Sequence, residues 1–160
     1  MKTLSLVIPV YFNAESLPIL HDQLAALEQE LKSEDMGLEL IYVDDGSEDN
    51  SLSVLLELRK RAPAAKIVKL TRNFGAVAAS KTGFSFVQGD CFGILAADLQ
   101  DPVAQVKKMV DCWRGGAKFV VSIRKTREDP FSSKLFSSLY YKLLKALVIR
   151  HYPEGGFDLM

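Results

Sequence analysis

The sequence predicts an α/β domain in which a mostly parallel sheet is covered by helices on both faces. Three observations carry this. Short β-rich runs alternate with helical patterns in the order βαβαβαβαβα, which favours parallel pairing through helical crossovers. The first run is continuously apolar, as a strand buried on both faces is. Polar clusters follow the runs, where such sheets bind ligands.

Residues 4–10 are the first strand, and a polar loop follows it. Leu17, Leu20, Leu24, Leu27 and Leu31 then recur at helical spacing, with Ser16 placed as N-cap and Pro18 in the first turn. Residues 38–43 are the second strand, stopped by Asp44-Asp45-Gly46-Ser47. A helix from Asp49 or Asn50 carries Leu52, Leu55, Leu56 and Leu58 and ends before Pro63. Residues 65–70 give a third strand, and 75–87 a helix of small residues suited to close packing on a sheet. Residues 91–96 give a fourth strand. A helix runs from Pro102 through Trp113, closed by Gly115-Gly116. Residues 118–123 give a fifth strand, and 132–150 a long amphipathic helix. There is no internal repeat, low-complexity tract or linker, so residues 1–160 read as one domain.

Twenty basic residues balance twenty acidic ones, so no global field draws nucleic acid and anion binding must be local. Cys91 and Cys112 read as reduced structural thiols, and the chain as cytoplasmic. The first apolar run is too short for a signal peptide, and no segment approaches the roughly 20 apolar residues that span a bilayer. Trp113, Phe84 and Phe86 are expected in the core, and His21 on the surface or packed.

Five strand ends gather the chemistry. They are Pro9–Asn13, Asp44–Ser47, Thr71–Gly75, Asp98–Asp101 and Arg124–Asp129. Each alone is a turn or a cap; together they describe one composite pocket. Mg²⁺ and Mn²⁺ prefer oxygen donors and share them with substrate phosphates. The Asp98 carboxylate and the Gln100 amide, two residues apart at a strand mouth, can hold such an ion against a diphosphate. Arg72 is suited to phosphate oxygens. No Gly-x-x-x-x-Gly-Lys-Ser/Thr or Gly-x-Gly-x-x-Gly loop is present, which argues against a P-loop nucleotidase and a dinucleotide-binding domain. A phosphoacceptor receiver is disfavoured because the acidic pair follows the second strand, not the first.

With these residues in place, the chain resembles family 2 glycosyltransferases of the Rossmann-like GT-A fold. It is most similar to the branch holding dolichol-phosphate mannosyltransferase and the undecaprenyl-phosphate sugar transferases. The likeness rests on Val7-Ile8-Pro9-Val10-Tyr11, Val43-Asp44-Asp45-Gly46-Ser47, Arg72-Asn73-Phe74-Gly75, Ala97-Asp98-Leu99-Gln100-Asp101-Pro102 and the arginine segment after Ser122. It implies a UDP- or GDP-sugar donor, a Mg²⁺ or Mn²⁺ cofactor and a polyprenyl-phosphate acceptor at the cytoplasmic face of a membrane. The alternatives are transfer to a hydroxyl of a growing cell-surface glycan, or a catalytically impaired nucleotide-sugar-binding module.

By the same resemblance, Pro9, Tyr11, Asp44, Asp45, Arg72, Ala97 and Asp98 bind nucleotide. Asp45 accepts from the base while Asp44 supports the turn. Asp98 and Gln100 hold the metal, and Arg124 and Arg127 face the diphosphate or acceptor phosphate. Asp98, Arg124 and Asp158 are the catalytic candidates. Two departures stand out: Ala96 stands where the family's Asp-x-Asp has its first Asp, and the family's Asn-Glu after the Tyr is here Phe12-Asn13-Ala14-Glu15, with one residue inserted. The family's domain is longer, so residues 155–158 would open an acceptor-side segment cut off at Met160. The last helix combines a leucine stripe with Lys134, Lys142, Lys145 and Arg150, which fits either a cover for the sheet or a helix in a membrane interface. The oligomeric state stays open, a homo-oligomer included.

Overall fold

A computed structural model describes residues 1–122. The chain divides into two compact units, Met1–Ala117 and Lys118–Met160, and every element below lies in the first. In chain order these are β1 (Lys2–Val10), α1 (Ser16–Ser33), β2 (Met36–Asp44), α2 (Ser51–Arg61), β3 (Lys66–Lys69), α3 (Ala76–Phe84), β4 (Cys91–Ile94) and α4 (Val103–Arg114).

The strands form one sheet in the order β3-β2-β1-β4, and every pairing is parallel. Side chains alternate between its faces. Val7, Ile41 and Val43 meet Ala79 of α3. The neighbouring set, Leu6, Ile8, Leu40 and Tyr42, is also buried, and α1 packs against β2. Both faces are therefore covered, as the apolar residues of β1 from Leu6 to Val10 predict. Leu17, Leu20, Leu24, Leu27 and Leu31 of α1 are all buried, each contributing roughly 2 kcal/mol of gross hydrophobic stabilisation.

The small residues of α3 serve close approach. A Cβ on Gly83 would stand 2.3 Å from a methyl of Val7, so only glycine lets α3 sit this near the sheet. Phe84 is next around the helix and falls on its outer side. It is partly exposed and stacks on exposed Phe92, with ring centroids 5.1 Å apart. The expectation that Phe84 and Phe86 are core is thus corrected, because the buried stripe of α3 runs through Ala79, Ser80 and Gly83. Cys112 is exposed, and Cys91 half-buried. Burial, and secondarily Asp90, pushes the Cys91 thiol up to about 11.

Ser16 is the first residue of α1 rather than its cap, and its hydroxyl is used elsewhere. Strand β4 ends at Ile94, short of the expected residue 96, because the chain turns at residues 97–99 and Leu99 takes φ 63°. Of the expected fifth strand, residues 118–122 show an isolated bridge at Ser122 and no ladder among the described residues. Arg124, Lys125, Arg127, Asp158 and the helix expected over 132–150 lie outside the described residues.

Candidate functional site

Successive strands run outward from β1 to β3, then the chain returns so that β4 lies on the other side of β1. A crevice opens beyond the carboxyl ends of strands at such a reversal, and this is where open α/β sheets take ligands. The loops after β1, β2, β3 and β4 border it.

The loop after β2 is tied to the loop after β3. Asp45 is 2% exposed; its Oδ1 accepts from the Phe74 N–H and its Oδ2 from the Gly75 N–H, each at 2.8 Å. Gly75 N–H is shared with Asn73 Oδ1. The two loops touch so closely that a Cβ on Gly46, whose φ is +69°, would stand 2.5 Å from the backbone carbon of Arg72. Asp44 is fully buried. Its Oδ1 accepts from Ser47 N–H at 3.2 Å, while Oδ2 has no partner. A buried carboxylate oxygen without a donor is costly, and a donor brought by a ligand would relieve it. Arg72 is exposed, its guanidinium 4.7 Å over the Phe74 ring.

After β1 the chain makes a tight turn. Phe12 takes φ 56°, rare for a bulky side chain. Phe12 N–H donates to Ser47 Oγ, Tyr11 N–H to Asn13 Oδ1 and Asn13 N–H to Ser51 Oγ. Ala14 N–H reaches Asp49 Oδ2. Tyr11 and Phe12 are both about half exposed, with rings edge-to-face at 4.6 Å. Pro9 is half-buried beside them in sequence.

The loop after β4 is sparser. Ala97 is buried, and its carbonyl accepts from Ser16 Oγ at 2.6 Å, tying α1 to this loop. Asp98 is exposed, and Oδ1 accepts from the Gln100 N–H at 3.0 Å. Gln100 is exposed as well. No group of three His, Cys, Asp or Glu that could cage a metal occurs among the described residues. One carboxylate and one amide suit an ion completed by substrate phosphates and water, the habit of Mg²⁺.

Pro9 and Asp44 thus lie at the ends of β1 and β2, and Tyr11, Asp45, Arg72, Ala97, Asp98 and Gln100 on the loops that follow the strands. Sequence reasoning placed Asn13 and Ser47 at the strand ends without a role and missed Ser51; together these hold the Phe12 turn. Their signal is the density of short polar side chains that favour local backbone bonds. His21 is packed, as one of its two expected settings has it, with Nδ1 3.1 Å from Tyr42 Oη. Burial and then Arg61 lower its pKa. No helix among the described residues is long and apolar enough to cross a membrane.

The glycosyl transferase family 2 profile matches residues 5–155. A glycosyltransferase of Bacillus subtilis is 33% identical over 98% of this chain and 48% of its own length. An undecaprenyl-phosphate 4-deoxy-4-formamido-L-arabinose transferase of Photorhabdus laumondii is 35% identical over 94% of this chain and 44% of its own. This chain therefore spans about half the length of the curated relatives it matches.

Among solved structures, a mannosyltransferase from Pyrobaculum calidifontis superposes with a TM-score of 0.63 at 20% identity, over 82% of this chain and 38% of that one. Mannosyl-3-phosphoglycerate synthase from Rubrobacter xylanophilus gives 0.65 at 17% identity, over 92% and 49%. At such identities the likeness establishes the GT-A fold. With a profile covering nearly its whole length and relatives above 30% identity, the chain belongs to glycosyl transferase family 2.

Proposed function

We propose that this chain is the N-terminal part of a longer catalytic domain that moves a sugar from a nucleotide-diphosphate donor to a polyprenyl phosphate. The observation that carries the reading is the division of labour at the crevice. A rigid, carboxylate-clamped wall stands on the β2 side, and one exposed carboxylate–amide pair on the β4 side. The Photorhabdus relative, named for undecaprenyl phosphate, supports the acceptor class. The Pyrobaculum structure, solved with GDP-Man and Mn²⁺, supports a divalent ion.

In this reading Pro9 and Tyr11 line the base and ribose pocket. Asp45 spends its oxygens on the clamp, so Asp44 Oδ2 is the acceptor offered to the nucleotide. Arg72 faces the phosphates. Asp98 and Gln100 hold Mg²⁺ or Mn²⁺, which supplies neutralisation of the departing diphosphate. A lipid phosphate is already anionic near neutral pH, so the protein positions it and stabilises charge and needs no general base. Arg124, Lys125 and Arg127 draw that phosphate in, at the cytoplasmic face of a membrane.

A thermal-shift panel of UDP, GDP and their sugars, with and without Mg²⁺ or Mn²⁺, tests the donor side. A rise in Tm only with nucleotide and metal together is expected; no shift with any nucleotide overturns the reading. Transfer to undecaprenyl phosphate by the full-length protein tests the acceptor. Ala96 favours one second reading, a module that binds nucleotide sugar without turnover. Tight binding with neither transfer nor hydrolysis would select it.

A further inference from the structure

We infer that Phe12 is a positioning residue for the nucleobase, acting through the Tyr11 ring; the inference rests on the nucleotide-binding reading above. A phenylalanine at φ 56° is an unfavourable choice where glycine or asparagine would serve. Such strain persists only where surrounding structure imposes it, and it concentrates at functional sites. Here the turn is held by Ser47 Oγ on Phe12 N–H at 3.2 Å and Asn13 Oδ1 on Tyr11 N–H at 2.9 Å. Ser51 Oγ holds Asn13 N–H at 2.9 Å.

The strain is not offset by burial, because the Phe12 side chain is 50% exposed. What the unusual backbone achieves is the placement of its ring. It stands edge-to-face against Tyr11 at 4.6 Å and 82°. A tyrosine 45% exposed would otherwise sample several rotamers. The perpendicular contact favours one of them and so presents a preset surface for a base to stack on. The Ser47 bond ties the turn to the loop bearing Asp44, so the stacking surface and the orphaned carboxylate are set by the same contacts.

The test is Phe12→Asn beside Phe12→Tyr, in the full chain. Asparagine tolerates the left-handed backbone and removes the ring; tyrosine keeps the ring. Binding of UDP and GDP with Mn²⁺ is measured by calorimetry, with inorganic pyrophosphate and Mn²⁺ as a probe that has no base. Phe12→Asn is expected to leave the ligand-free Tm unchanged or higher and pyrophosphate affinity unchanged. Nucleotide affinity should fall roughly tenfold, the size of a lost aromatic contact, and Phe12→Tyr should restore it. Wild-type nucleotide affinity in a well-folded Phe12→Asn, or an equal loss with pyrophosphate, overturns the inference alone. If the wild type binds no nucleotide, it falls together with the reading it rests on.

Discussion

Residues 44–47 after β2 and residues 97–101 after β4 both carry carboxylates on loops flanking β1, but those carboxylates touch different things. Asp45 is buried and both its oxygens are bonded by backbone N–H groups from another loop. Asp98 is exposed, and it accepts from the Gln100 N–H two residues on. In the first, Asp45 is committed to holding the wall of the crevice, beside the unpartnered Asp44 Oδ2. In the second, Asp98 is bonded within its own loop and exposes its carboxylate to something else that could bind. Two acidic pairs that look alike in sequence should therefore fail differently when changed, one through stability and the other through ligand chemistry.

The largest effect expected is on turnover. Asp98→Asn should lower metal-dependent transfer by the full-length protein about 1,000-fold, near 4 kcal/mol of barrier. Tm without metal should move little, because exposed substitutions rarely change stability by more than about 0.5 kcal/mol. A large drop in Tm would break the comparison, since it would make Asp98 structural.

Asp45→Ala should do the reverse. It strands the Phe74 N–H, leaves the Gly75 N–H to Asn73 Oδ1 alone and unties the two loops, and about 3 kcal/mol of stability should go. Urea denaturation measures this. Gly46→Ala sharpens the same point, since its methyl would meet the Arg72 backbone at 2.5 Å with φ already at +69°. A loss of similar size is expected from it.

A smaller effect comes from the far end of the sheet. Glu39 sits on β2, bonded by Lys66 Nζ at 2.6 Å, by the Gln88 N–H at 3.0 Å and by the Ser5 hydroxyl. Burial alone would raise its pKa, but the bonds from Lys66, Ser5 and Gln88 outweigh that and leave it below the ordinary 4.5. A carboxyl with a lowered folded pKa contributes stability that is whole above 4.5 and is lost as pH falls through the lower folded value. Glu39→Gln should therefore cost about 1.5 kcal/mol at pH 7 and flatten the acid side of the stability curve. An unchanged acid limb would show that Glu39 does not anchor the residues after α3.

These contrasts mark how far the sequence could be read. The apolar run of β1, the leucine spacing of α1 and the small residues of α3 are local patterns, and each gave its element with ends within a few residues. The polar strand ends were legible as a group because parallel topology puts them at one edge. What Asp45 touches was not, since its partners lie 29 and 30 residues on, and nothing local separates a base acceptor from a loop clamp. Phe12 at positive φ was hidden for a related reason: three side-chain bonds from residues 13, 47 and 51 impose it against its own preference. Phe84 misled because hydrophobicity alone does not tell which side of α3 faces the sheet, and Phe86 because α3 ends at Phe84 and leaves it on the turn that follows.

The smallest effect concerns Ala96, where the family pattern has the first Asp of its Asp-x-Asp. The position is half-buried two residues beyond the end of β4 and two before Asp98, and the residue between them, Ala97, is fixed by the Ser16 hydroxyl on its carbonyl. Ala96→Asp would add a carboxylate to a loop whose course is already set. Without metal it should destabilise slightly, by about 0.5 kcal/mol, because a second negative charge enters near Asp98. With Mn²⁺ and nucleotide present the sign should reverse, and apparent metal affinity should rise up to about tenfold, near 1.4 kcal/mol. Metal titration of Tm in the wild type and in Ala96→Asp measures both arms. If the added carboxylate weakens Mn²⁺ binding, the loop after β4 does not present its side chains to an ion, and the contrast between the two loops loses its functional half.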